Sequence, residues 1–385
     1  MFMRPRRHGP IAIDFGAGSL KLVQTTGEVG RSVLAAHEQI APGETEDDWD
    51  ATLRWLTDAV PTALAESDFR GRRVLVGLPS QWTGVQHLQI DPEDLPHAET
   101  IAATSRSDAP DEQLTRIIHV GDFLRNDRMR SELISLSFPR HAIFGLVELL
   151  HTLGYDVVDL RTQIRAAVDA FAHLHRRSDD AAVATMYVDL GTSGTNCIVA
   201  NGTDIVCARR ITVGTRHIDR AIARHLGCDA ESARDHRLAG APAPSPSADA
   251  PTVPGERRGR GSPATLEDPI RPRDTGAHGI PEGDELLATI VDELRRAVRY
   301  DAGLFPERAI DRIVFLGAGA ESDRVCRHIV QALQLPGQRA DPVARHEPPA
   351  ARSVPASWNG AALPAWTTTL GLLRPDRTRE RRHAA

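Results

Sequence analysis

Ile11-Ala12-Ile13-Asp14-Phe15-Gly16-Ala17-Gly18-Ser19-Leu20-Lys21-Leu22-Val23 is the stretch on which the reading of this chain turns. An apolar run climbs to one aspartate, small residues make a tight turn, and a second apolar run begins with Lys21 set into it. That pattern predicts a β-hairpin whose turn can receive an oxyanion. Gly16 and Gly18, with Ala17 between them, let backbone N–H groups approach an anion with no large side chain in the way; Ser19 adds a hydroxyl and Lys21 a positive charge. The same grammar returns at Met186-Tyr187-Val188-Asp189-Leu190-Gly191-Thr192-Ser193-Gly194-Thr195-Asn196-Cys197-Ile198-Val199. Asp189 stands 175 residues after Asp14, again between a strand and a small polar turn. Two copies predict two like-folded halves facing one nucleotide, each giving a turn to the phosphates and an aspartate to the metal.

Composition sets the bounds. A chain of 385 residues can bury two full cores, and 41% hydrophobic residues is ordinary for a globular protein. The net charge of −6 argues against a general nucleic-acid binder, which needs a basic field. Lys21 is the only lysine among 46 basic residues, so a compact ammonium is kept at one place in an arginine-rich chain. Cys197, Cys207, Cys228 and Cys326 have no metal-ligand spacing and read as buried thiols of a reducing compartment. No apolar run reaches the roughly eighteen residues of a membrane span, and Met1 to Gly9 lacks the apolar core of a signal peptide, so a soluble, cytoplasmic protein is expected. Arg4, Arg6 and Arg7 read as a solvated terminus.

Along the chain, Val33 to Gln39 reads as a third strand, Trp49 to Leu64 as a helix with Trp49, Leu53, Leu56 and Val60 on one face, and Arg73 to Pro79 as a buried strand. From Ser80 to about Leu136 the periodicity blurs. His141 to Leu153 is a helix stopped by Gly154, Tyr155 to Leu160 a strand, and Ile164 to Leu174 a helix. After the second hairpin, Asp204 to Ile211 continues the sheet, and Val213-Gly214-Thr215 leads into a helix from His217 to Leu226. Residues 239 to 283 are Pro, Ala, Ser, Gly and Arg with almost no bulky apolar residue, which predicts a disordered insertion. A helix follows to Tyr300, then the strand Ile310 to Leu316 and the turn Gly317-Ala318-Gly319-Ala320, against which an adenine ring could lie flat. A close strand–helix crossing with no ligand explains the same glycines.

The two hairpins and the stretch Ile313 to Ala320 resemble the phosphate-1, phosphate-2 and adenosine segments of the actin-like ATPase superfamily. Within it the chain is most similar to the PilM family of type IV pilus assembly, itself similar to the cell-division protein FtsA. The likeness covers most of the chain outside residues 90 to 130 and 240 to 280. It implies an α/β, actin-like (ASKHA) fold with two RNase H-like halves and the 1C subdomain that PilM and FtsA share. The implied division is 9–80 and 137–180 for subdomain 1A, 81–136 for 1C, 181–215 and 310–373 for 2A, 216–309 for 2B with the insertion 239–283, and 374–385 as a charged tail. Where the family carries a proline-rich motif in 1C, this chain has the polar stretch Ala98 to Glu112, so a divergent 1C is expected. The resemblance also places Gly214 beside the nucleotide, and Arg234 and Arg237 near ribose and adenine. At the family's glutamate after the second strand aspartate stands Arg161, which stays protonated and cannot act as a base, so fast hydrolysis is in doubt.

The resulting hypothesis is a Mg-ATP site. Asp14, Gly16, Ala17, Gly18, Ser19 and Lys21 hold phosphates from one wall, Asp189, Gly191, Thr192, Ser193 and Thr195 from the other, and Gly214, Gly317, Ala318 and Gly319 border the nucleoside. Asp14 and Asp189 reach Mg2+ through its waters, since magnesium keeps several of them. No Walker loop is present. By resemblance the protein is a scaffold, a weak ATPase at most. It would sit at the inner face of the inner membrane, binding the N-terminal peptide of a PilN-type membrane protein and other pilus platform proteins, with no nucleic acid and no membrane contact of its own. A sugar or acetate kinase on the same fold, or a relative that has lost its nucleotide, are the alternatives; a kinase needs a carboxylate to take the acceptor proton, and none is evident.

Overall fold

A computed structural model of the chain describes residues 8–26, 32–42, 48–106, 110–175, 183–239, 270, 281–342, 358 and 363–374. The insertion read at 239–283 lies outside the described residues except at its ends and at Ile270. The tail after Arg374 and the arginines before His8 lie outside them altogether.

The expected opening is present: strands β1 (His8–Phe15), β2 (Ser19–Thr26) and β3 (Ser32–Ile40), helix α1 (Trp49–Ala65), then β4 (Arg73–Leu78). Asp48 caps α1 by accepting from the N–H groups of Asp50 and Ala51, and Trp49, Leu56, Ala59, Val60 and Ala63 bury one face. Burial of a side chain such as Leu56 contributes on the order of 2 kcal/mol. Next come β5 (Gly84–Ile90), α2 (Ala98–Arg106), β6 (Gln113–Arg125), β7 (Arg128–Pro139), α3 (Arg140–Thr152), β8 (Asp156–Thr162) and α4 (Gln163–Asp169). Gly154 ends α3 at φ +82°, and its N–H donates to the His151 carbonyl at 2.9 Å. The second half runs β9 (Ala184–Leu190), β10 (Thr195–Asn201), β11 (Asp204–Ile211), α5 (Thr215–Leu226), α6 (Ala230–Ala239), α7 (Pro281–Leu304), β12 (Arg312–Leu316), α8 (Asp323–Leu333), β13 (Gly337–Arg339) and α9 (Thr367–Leu372).

The strands of the first half line up as β3-β2-β1-β4-β8 and those of the second as β11-β10-β9-β12-β13, one order used twice. In each, an antiparallel three-stranded meander is continued by two parallel strands from its first member. The aspartate-bearing strands β1 and β9 therefore occupy the centre of each sheet, where both faces are covered and the apolar run is continuous. Gly227, at φ +64°, stops α5 as its position after the apolar-periodic run predicts.

The blurred region forms a third sheet, β5-β7-β6, with α2 against it. It runs three residues beyond the boundary expected at 136, to Pro139. The polar stretch from Ala98 contains a helix, α2, that buries only Ala98 and Ala102, which is why its pattern gave no apolar stripe. Both ends of this sheet join the first half, yet its buried polar contacts reach the second. His87 Nδ1 lies 2.9 Å from Tyr300 Oη on α7, His87 Nε2 lies 3.1 Å from the Ala208 carbonyl on β11, and Tyr300 donates its hydroxyl to Glu132. Gln89 adds a hydrogen bond to Glu132 at 2.8 Å, so this 2%-exposed carboxylate keeps its partners despite burial.

Cys197, Cys207 and Cys326 are buried and Cys228 half-buried, and none of the four is in a disulfide. Among the described residues no helix is long and apolar enough to cross a membrane.

Candidate functional site

The turns that follow β1 and β9 meet between the halves. Gly18 lies so close to Thr192 that a Cβ there would stand 2.2 Å from Thr192 Oγ1. Arg216, in the first turn of α5, donates to the Ala17 carbonyl at 2.9 Å, and Arg210, at the end of β11, spans Ser80 Oγ of the first half and Ser193 Oγ of the second, each at 3.3 Å. Charges from the two halves act on one another across the gap. Burial is the main reason that the Asp189 carboxyl is pushed up to about 6; the Asn196 amide opposes it, the Asp14 charge adds to it, and Lys21 and Arg210 pull it back.

Asp14 is held by groups far away in the chain. Gln163 Nε2, at the start of α4, donates to Oδ1 at 2.7 Å; the hydroxyls of Thr368 and Thr369 on α9 donate to Oδ2 at 2.9 and 2.8 Å. Gln163 also takes the Ser80 N–H on its oxygen, at 2.8 Å, so its amide is oriented from both ends. None of the three was found from the sequence. Gln163 opens the helix that follows β8, two residues beyond Arg161. Arg161 is not in the cleft: it pairs with Asp159 at 3.0 Å and donates to the carbonyls of Leu372 and Arg374 at the end of α9.

The small residues of the turns divide into those that border the gap and those that build it. Gly16 donates its own N–H to the Ser19 carbonyl at 3.1 Å and so closes the first turn. Lys21 Nζ donates to Ser19 Oγ at 2.8 Å and stands 3.5 Å from Glu38, its cross-strand neighbour on β3. In the second turn Gly191 donates to the Gly194 carbonyl, while the carbonyls of Gly191 and Thr192 accept from Thr215 and Arg216, the first N–H groups of α5. Gly214 is locked under this turn, with room for no Cβ: Gly194 N would be 2.4 Å away. Thr195 is wholly buried and donates its hydroxyl to the Val213 carbonyl at 2.8 Å, supporting the turn from beneath. Gly317 takes φ +80° against Asp189 Oδ1, and Ala318 is half-buried beside it, but Gly319 is buried under Thr215 and Leu190. The close-crossing explanation thus accounts for Gly319. Arg237 is 6% exposed and bound to Asp219 at 2.6 Å, so the expected contact with a ribose is corrected to a structural ion pair. Arg234 is exposed, with its charge acting on Glu321.

In kind, these residues fit a magnesium nucleotide. Two carboxylates, Asp14 and Asp189, and two cations, Lys21 and Arg216, lie about the place where the Gly18 backbone of one half closes on the Thr192 side chain of the other. Among the described residues no group of three or more His, Cys, Asp and Glu could hold a metal directly.

No family model matches the sequence, and no curated protein matches it. Solved structures do. A chain of the "PilM-PilN type IV pilus biogenesis complex" is similar with a TM-score of 0.72 at 16% identity, over 96% of this chain and 98% of that one. MreB5 of Spiroplasma citri bound to ADP is similar with a TM-score of 0.49 at 12% identity, over 98% of each chain, and the ethanolamine utilization protein EutJ from Carboxydothermus hydrogenoformans with 0.46 at 11%, over 96% and 90%. The first of these likenesses, with the doubled strand order, shows a PilM-like actin fold.

Proposed function

We propose that this protein is an actin-fold scaffold that binds Mg-ATP between its two aspartate-led turns and works in the inner-membrane platform of a type IV pilus or a type II secretion-like machine. It acts on the cytoplasmic side, holds the N-terminal segment of a PilN-type membrane protein, and meets other platform proteins there. The observation that carries the nucleotide reading is the approach of Gly18 to Thr192, which brings the two turns to one gap. The PilM-like fold supports the pilus setting.

In this reading Lys21 leaves Glu38 for the phosphates, and Arg216 shifts from the Ala17 carbonyl to the same charge. Bound magnesium would neutralise phosphate charge, and Asp14 and Asp189 would orient its waters. Gln163 positions Asp14 and can orient a water, but an amide takes no proton, so turnover is slow. Calorimetric titration of Mg-ATP tests the site. Lys21→Ala is expected to weaken binding at least tenfold, and Asp189→Ala to remove the measurable heat. Unchanged affinity in both variants sinks the assignment. Retention of the wild-type protein by an immobilised peptide from a PilN-type N-terminus tests the partner, and no retention in any nucleotide state counts against it.

A further inference from the structure

Beside the second turn, and sharing Ser193 with it, lies a cleft of about 380 Å³ lined by Gln81, Trp82, Ser193, Arg210, Thr212, His217 and Arg220. Every one of these side chains can donate a hydrogen bond, and none is a carboxylate. The arginines and the histidine come from two elements. Arg210 stands at the end of β11; His217 and Arg220, three residues apart, share a face of α5. The Gly214 N–H donates to His217 Nδ1 at 3.1 Å, which leaves the proton of the neutral ring on Nε2.

Arg210 is the unusual member. Among the described residues its hydrogen bonds are the two at 3.3 Å to serine hydroxyls, and it makes no ion pair with a carboxylate. Burial holds its guanidinium below the usual range, with the Asp189 charge opposing that effect. A guanidinium kept charged there, with long neutral contacts only, lacks the anion its fork is shaped for. The leading N–H groups of α5 are already taken by carbonyls, so side chains and not a helix end make this a cationic cleft.

We propose that this cleft is a second anion site, for a small tetrahedral oxyanion of the phosphate class, with Arg210 and Arg220 as its charged walls and His217 as a donor. It stands on its own lining and does not require that the neighbouring turns bind nucleotide. Inorganic phosphate is the probe, titrated into the full chain at low ionic strength and followed by phosphorus NMR line broadening. Arg220→Ala, an exposed position on α5, is expected to weaken phosphate binding about tenfold, and Arg210→Gln to abolish it, with Lys21→Ala within twofold of wild type. The titration is repeated with saturating Mg-AMPPNP, whose γ-phosphoryl group fills the place that ADP would leave empty, and phosphate binding is expected to persist. Loss of phosphate in Lys21→Ala, or its displacement by Mg-AMPPNP, would mean that the anion sits among the nucleotide's own phosphates and overturns a separate site. Absence of phosphate binding in the wild type overturns it also. If Lys21→Ala loses Mg-ATP but keeps phosphate, both sites stand; if Mg-ATP never binds while phosphate does, only the nucleotide reading falls.

Discussion

Asp189→Asn is expected to raise the thermal stability of the protein at pH 7.5 while removing its response to Mg-ATP. Burial moves the Asp189 carboxyl from the ordinary 3.8 to about 6. Below pH 4 the folded and unfolded chains both carry a proton there. Between 4 and 6 only the folded chain does, and stability from this group is progressively lost as the pH rises through about 6. Above 6 the native state holds a carboxylate that the unfolded chain would solvate better. A dry site would make the cost about 3 kcal/mol, and the water that reaches this half-buried residue reduces it to about 2 kcal/mol. Asparagine keeps an oxygen to accept from Asn196, 3.0 Å away, and carries no charge. Calorimetric unfolding should therefore give a melting temperature a few degrees above wild type at pH 7.5 and none at pH 4. A variant less stable at pH 7.5, or a difference that ignores pH, would show that Asp189 is needed by the fold and not held against its preference for a ligand.

The second large effect is structural. Gly371 sits on α9 where that helix crosses α4, and a Cβ there would stand 1.9 Å from the Ala166 carbonyl oxygen, with the Ala166 carbonyl carbon at 2.8 Å. Backbone cannot turn aside as a side chain can, so Gly371→Ala must push the helices apart. It should cost 3 kcal/mol or more, at the upper end of overpacking, and should loosen Thr368 and Thr369 from Asp14. Gly303→Ala is the control: this exposed glycine in α7 has nothing within 4 Å of its would-be Cβ, and alanine should stabilise by about 0.5–1 kcal/mol. Equal melting temperatures for the two variants would refute the crossing argument.

Much of the frame was legible because its signals are local. The two hairpins, the stops at Gly154 and Gly227 and the apolar runs of β1 and β9 each follow from residues that are neighbours in sequence. The third sheet was not legible. β6 is mostly half-buried or exposed, with no strict alternation and only Thr115 buried, and α2 has only two small buried residues, so neither carries a strong period. The candidate site divides in the same way. Asp14 and Asp189 announce themselves at strand ends. The groups that hold Asp14, Gln163 and the paired threonines, lie 149, 354 and 355 residues away, and only the α4–α9 crossing brings them to it. The place of Arg161 outside the cleft was hidden for the same reason, since its partners at Leu372 and Arg374 are set by where α9 ends.

The third sheet grows out of the first half at both ends but is fastened by His87, Glu132 and Tyr300 to the second. Were one half to rotate against the other, that polar clasp would have to shear or the sheet would have to follow the second half, so the orientation of the third sheet is tied to the angle between the halves.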